Sequence, residues 1–300
     1  MVGQGVVVLL ALCAAIFMAI GIVVRQRATM DVPAEHGVST VMISTLLRRR
    51  LWWAGTAAAV LGYVFQALAL IKGSLILVQP LLVSALLFAL PMSAKLAHRR
   101  VTKAEWGWAL LLTIALATFV VLARPSSGDY EGSVPASMLA TVVCVAIVVT
   151  CVAVAVRKMG WRRAVLLAVA VGVLFGVVAV LTKIVMHFLG SRSLLALFAT
   201  PAPYLLVVLA VVATLLQQSA FHAGELHTSV PTMLVLEPVV AVILGAVVLG
   251  EHLTATGLEA VALTLAIVAM TAATIALGRD EGAYEEELEA EVAQHSQHPA

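Results

Sequence analysis

LLALCAAIFMAIGIVVRQ, residues 9–26, and LLAVAVGVLFGVVAVLTK, residues 166–183, together decide the fold. Each has about the length of a membrane-spanning helix, for which roughly 20 apolar residues suffice. The second run resembles the first, and the likeness continues downstream. At a constant offset of 151 residues Gln66 falls on Gln217, Ala69 on Ala220, Gly73 on Gly224, Leu75 on Leu226 and Pro80 on Pro231. Apolar residues coincide easily in such a sequence, so the aligned Gln, Gly and Pro carry most of the comparison.

The rest of the chain is of the same kind. Apolar residues make up 62% and charged residues 11%, against roughly 45–50% and about 25% in soluble domains. A soluble fold has nowhere to hide that much apolar surface. Lipid offers the backbone no hydrogen-bond partners, so only helices or closed barrels cross it, and these runs lack the alternation of barrel strands. The expected fold class is therefore all-α, with about nine spans at 4–24, 51–71, 74–94, 104–123, 134–156, 164–186, 203–223, 228–249 and 256–277. Within residues 28–47 the apolar VSTVMISTLL (38–47) is too short to cross alone, and SLLALFATPAP (193–203) has the same ambiguity; both read as interfacial or re-entrant segments, and if both crossed the span count would be eleven. No positive charge precedes the first run and Arg25 and Arg27 follow it, which marks an uncleaved helix rather than a secretory signal.

Loop charges set the orientation. Arg25, Arg27 and Arg48 to Arg50 fall in the first loop, Lys95, Arg99, Arg100 and Lys103 in the third, and Arg157, Lys158, Arg162 and Arg163 in the fifth. The alternate side has only Lys72, Arg124 and Arg192. Basic residues gather on the cytoplasmic face, so the N-terminus is expected outside the plasma membrane and the C-terminus inside. From Gly278 the sequence turns to GRDEGAYEEELEAEVAQHSQHPA, whose acids predict a solvated, disordered tail over 278–300.

Four spans and one linking span (134–156) precede the second unit, so that unit enters the membrane upside down. Repeat one covers 4–123 and repeat two 164–277, forming one transmembrane domain over 1–277. Inverted repeats are the architecture of many secondary transporters, with substrate held near the midplane between the halves.

Pro231, Glu237-Pro238 and LGAVVLGEHLTATG (residues 244–257) resemble the EamA-type repeat of the drug/metabolite transporter (DMT) superfamily. In that repeat a proline-containing helix ends in small residues, an LGE-like turn and a further helix. LVQPLL (residues 77–82) keeps the proline in the first unit, where Arg99-Arg100 stands in place of Gly-Glu. RLWWAG (residues 50–55), the LVxP pattern at 77–80 and the additional span also resemble NIPA-type magnesium transporters. The resemblance implies a transporter of a small solute, with a magnesium permease as the alternative. A non-transporting membrane scaffold is the third reading.

Glu237 lies near the middle of its span, where an unpaired carboxylate costs several kcal/mol and marks a functional site by default. The neighbouring Pro238 cannot donate a backbone hydrogen bond and frees a carbonyl one turn earlier. Glu237 and Pro238 are thus the leading substrate or coupling residues, joined by Gln66 and Gln217 at equivalent places in the two units, by Gln218, and more weakly by Gln79. Pro80, Pro231, Glu251 and Lys183 are gating or structural candidates. Lys183 is placed near the outer interface, snorkelling rather than pairing, and Glu251 at a helix end, where solvent contact is usual. HAGELH (residues 222–227) does not set three ligands on one helical face, and no nucleotide or nucleophile motif occurs. The three cysteines lie singly in apolar runs. The chain therefore reads as a non-enzyme without cofactor or metal. Its expected partners are a small-molecule or ion substrate, the lipid bilayer and a second copy of itself, with no nucleic acid.

Overall fold

A computed structural model describes residues 2–30, 50–96, 100–123, 125–126, 134–191, 197–222 and 226–297. In chain order the helices are α1 (Val2–Met30), α2 (Arg50–Lys72), α3 (Leu75–Leu82), α4 (Ala85–Leu96), α5 (Lys103–Leu122), α6 (Val134–Ala155), α7 (Trp161–Ser191), α8 (Ala202–His222), α9 (Leu226–Leu249) and α10 (Leu258–Gln297). Short strands β1 (Pro125–Ser126) and β2 (His252–Leu253) pair antiparallel. Among the described residues the protein is all-α apart from that ladder. Eight of the expected spans are helices long and apolar enough to cross a membrane, counting α3 and α4 as one interrupted span. The remaining expected span is α8, whose apolar part, Ala202–Gln217, is shorter.

Residues 31–47 and 193–196, which belong to the two short apolar segments, lie outside the described residues. Leu197 to Pro201 form a turn leading into α8. The tail departs from expectation, because α10 runs on to Gln297. Acidic composition argued for disorder, yet Glu, Ala, Leu and Gln are good helix formers. A helix already formed in α10 also spares this segment the unfavourable first turn that isolated helices must make.

Four contacts show which helix ends lie together. Gln4 donates to the carbonyls of Val120 and Ala123. β1, just beyond α5, pairs with β2, just beyond α9. Glu251 reaches the start of α3, and Lys183 in the last third of α7 reaches Gly73. The start of α1, the end of α2, the start of α3, the ends of α5 and α9 and the last part of α7 therefore share one end of the bundle, called here the N-terminal end. α1 packs on α2 in the first part of the chain and α7 on α8 and α9 in the second, while α5 on α10 joins the two parts.

Among apolar helices in lipid, burial from water gives little drive, so close contact depends on small residues. A Cβ at Gly172 would lie 2.6 Å from Leu236 Cβ, and one at Gly176 would lie 2.6 Å from Val240 Cγ1. The GxxxG spacing thus seats α7 on α9 on either side of Glu237. In the first half a Cβ at Gly21 would lie 2.8 Å from Ala59 N, which sets α1 against α2. The main core then gathers Ala11, Leu70, Leu77, Leu112, Ala241 and Leu277 from six helices.

Candidate functional site

The first polar cluster forms where α3 begins. Ser74 has an extended backbone (φ −79°, ψ 152°) and its Oγ accepts from Leu77 N at 3.2 Å, a standard N-cap. Leu75 and Ile76 keep unsatisfied N–H groups, as the first turn of any helix does. Glu251 supplies both acceptors, taking Leu75 N on Oε1 at 3.0 Å and Ile76 N on Oε2 at 3.1 Å. The helix start is also the positive end of the α3 dipole, which favours a carboxylate there.

Glu251 arrives through the local chemistry of LGAVVLGE. α9 stops at Leu249 because Gly250 adopts φ +68°, a left-handed conformation that glycine takes without steric cost. The chain turns back so that Glu251 N donates to Gly245 O at 3.1 Å. A Cβ at Gly245 would come within 3.2 Å of both Glu251 Oε2 and Leu75 Cβ, so the absence of a side chain lets the carboxylate approach.

Lys183 completes the cluster from α7. Its Nζ lies 2.9 Å from Glu251 Oε1 and donates to the carbonyl of Gly73. The Lys183 side chain is 8% exposed and that of Glu251 wholly buried. This corrects two expectations, since Lys183 pairs rather than snorkels and Glu251 is sealed from solvent at its helix end. The reason is one contact invisible in sequence: the α2–α3 turn lies over Lys183 and replaces the water its ammonium would otherwise seek. A buried pair of this kind is sustained only when its remaining donors and acceptors are satisfied. Two backbone N–H groups and one carbonyl do so here.

The second location lies deeper. The third span is interrupted between α3 and α4, where Val83 N donates to Pro80 O and Ser84 N to Leu81 O in tight three-residue steps. Pro80, one turn before the break, has no N–H to continue the ladder. Ser84 is buried and its hydroxyl donates to Leu81 O at 2.6 Å. Val83 stands eight residues beyond Leu75, about 12 Å into the bundle at 1.5 Å per residue.

The offset of 151 carries Leu75, the first residue of α3, onto Leu226, the first residue of α9. It carries Leu86 and Leu87, just past the break, onto Glu237 and Pro238. The break itself has no counterpart in α9, which runs unbroken from Leu226 to Leu249 with Pro231 and Pro238 inside it. Glu237 is half-buried and eight residues from Ser229, where the apolar span begins, again about 12 Å deep. Among the described residues its carboxylate meets no hydrogen-bond or ion-pair partner, in contrast to that of Glu251.

Gln66 is buried in α2 and Gln217 half-buried in α8, each one to two turns before the end of its helix. The side chain of Gln218 and residue Glu225 lie outside the described residues. Pro80 and Pro231 are buried within the second turns of α3 and α9. Two groups carry more than the sequence suggested. Gln79 Nε2 and Ser229 Oγ are fully buried without a hydrogen-bond partner among the described residues. Each sits one turn inside the start of the corresponding helices α3 and α9. Ser74 was also missed, although Gly-Ser ahead of an apolar run is a helix-start signal.

Eight bilayer-length apolar helices and close small-residue packing define an all-α polytopic membrane protein. The chain is 36% identical to an uncharacterized protein of Corynebacterium glutamicum over 272 residues, 91% of this chain and 94% of that one, and the two belong to one family. No family model and no solved structure matches the chain.

Proposed function

We propose that the protein is a secondary transporter of the drug/metabolite type, moving a small solute across the plasma membrane by alternating access between two inverted halves. The observation that carries this reading is Glu237, a carboxylate without a partner among the described residues, near the middle of its span beside Pro238, with the third span of the other half broken at Val83–Ser84. An interrupted helix and an intramembrane proline each free backbone groups at membrane depth, which supports a polar binding site there. The antiparallel sense of the halves agrees with this, since the start of α1 and the last part of α7 lie at the same end. Positive loop residues put that end outside.

Glu237 serves in this scheme as the coupling group. Protonated, it crosses the low-dielectric centre as a neutral group; ionised, it holds a cationic solute or takes up the next proton. Gln66, Gln79, Gln217 and Ser229 offer amides and a hydroxyl that select the polar part of the solute. A hydrated divalent cation is a second solute that suits a lone carboxylate, in keeping with the magnesium-transporter resemblance.

The test begins by comparing metabolite and Mg²⁺ uptake between strains lacking and overproducing the protein, and proceeds to flux of the identified solute in proteoliposomes. Saturable, solute-specific uptake that falls about tenfold or more in Glu237→Gln supports the reading. A chain that moves no solute, or one whose flux ignores both Glu237→Gln and an imposed pH gradient, removes it.

A further inference from the structure

We propose that Lys183, Glu251 and the start of α3 form a latch that holds the N-terminal end of the transport path shut, and that opening this end separates Glu251 from α3 and from Lys183. The proposal rests on the alternating-access reading but uses residues distinct from Glu237.

The geometry is that of a closure between the two halves. Glu251 belongs to the second half and its two backbone donors, Leu75 and Ile76, to the first. Lys183 also belongs to the second half and holds Gly73 of the first, while bridging to Glu251 at 2.9 Å. Pro125↔Leu253 and Ser126↔His252 add a backbone ladder across the same seam. Apart from the Lys183–Glu251 bridge, which ties the second half's two contributions together, each of these bonds joins the halves at one end, so the structure is held shut there.

The cluster is also separable without unfolding a helix. Glu251 follows the Gly250 turn beyond the end of α9, and Gly73 and Ser74 form the short turn between α2 and α3. When the halves rock apart, the carboxylate leaves the α3 start, water takes over the Leu75 and Ile76 N–H groups, and Lys183 is released from Gly73. Charge-assisted bonds of this kind are strong when dry and weak when wet. That makes such a cluster two-state rather than gradually yielding. The pair differs from a simple charge contact in that Glu251 must also serve the positive end of a helix.

Thiol accessibility tests this without any transported solute. In full-length protein with Cys13, Cys144 and Cys151 replaced by Ala, a reporter thiol is placed by Ala69→Cys, buried one turn inside the latch. A control thiol is placed separately by Ala94→Cys, buried near the other end of the third span. A membrane-impermeant maleimide is added from each side of sealed vesicles in turn. Lys183→Met and Glu251→Gln are each expected to raise labelling of the Ala69→Cys thiol from the N-terminal side on the order of tenfold. Labelling of the Ala94→Cys thiol stays unchanged, and Lys183→Arg keeps the reporter protected. The double exchange Lys183→Glu/Glu251→Lys is expected not to restore protection, because it turns an ammonium toward two N–H donors.

Unchanged labelling of the reporter in both single variants overturns the latch. Equal gains at reporter and control overturn it too, since they signify a loosened bundle. Restoration by the double exchange overturns the role given to the α3 start. If solute flux depends on Glu237 while the reporter ignores the pair, the latch fails and the transport reading stands. If the latch opens in a protein that carries no solute, the converse holds.

Discussion

Glu251→Gln gives the sharpest test of the energetics. The substitution preserves shape and removes one charge, leaving the Lys183 ammonium buried without a counter-charge, held only by neutral acceptors that include the Gly73 carbonyl. Glutamine retains one acceptor for Leu75 N or Ile76 N, and its Nε2 turns a donor toward the other, which adds the cost of an unmet N–H, about 1–3 kcal/mol. Removing one partner from a buried pair costs about 3–5 kcal/mol in total, and this range already contains part of the donor mismatch. For a chain of this size each kcal/mol shifts Tm by about 2 °C, so a fall of about 6–10 °C is expected. The assay is thermal unfolding of detergent-purified protein followed by the loss of monodisperse material. Glu237→Gln is the internal comparison, because that carboxylate has no partner among the described residues to lose, and its Tm should stay within about 2 °C of the parent. Equal falls for the two variants would show that burial of charge, and not the bonding of Glu251, governs stability. No fall for Glu251→Gln would refute the reasoning outright.

Further outcomes follow from the same geometry. Gly250→Ala places a side chain on a residue at φ +68° and should destabilise by about 1–2 kcal/mol; the same thermal assay reads it. Gly176→Leu should cost about 1–3 kcal/mol or more and lower the yield of folded protein, because even a Cβ there meets Val240 Cγ1 at 2.6 Å. Ser74→Ala removes the N-cap bond to Leu77 and should cost about 1 kcal/mol, with the Glu251 contacts retained. Truncation after Arg279 removes the extension of α10 beyond the apolar span and should leave Tm within about 2 °C, with loss of helical signal in circular dichroism.

What could be read from the residues, and what could not, divides by the range of the interaction. The spans follow from local composition, since each lipid-crossing helix must satisfy its own backbone, and all nine expected spans are helical. Pro80 and Pro231, which the offset of 151 aligns, occupy the second turns of helices that start at Leu75 and Leu226. The Lys183–Glu251 pair was not legible, because its partners lie on different spans and depend on how α7 packs against the α2–α3 turn. A depth argument along α7 placed Lys183 near one end of the bundle, and its burial there comes wholly from neighbours. The break at Val83–Ser84 carries neither Gly nor Pro, so local chemistry pointed to Pro80 and missed where the chain gives way. The α10 extension shows the opposite error. Acidic composition spoke for disorder, while the intrinsic helix preference of EEELEAEVAQ and its attachment to a formed helix favour order.

The central claim is that Glu237 couples solute movement to a proton at the midpoint of an alternating-access path. The most direct measurement is solute-driven proton movement in proteoliposomes, read by an internal pH dye with the identified solute on one side and no imposed gradient. The account predicts a solute-dependent pH change in the parent protein that disappears in Glu237→Gln, while that variant still exchanges solute down its gradient. A pH change of the same size in Glu237→Gln would contradict it.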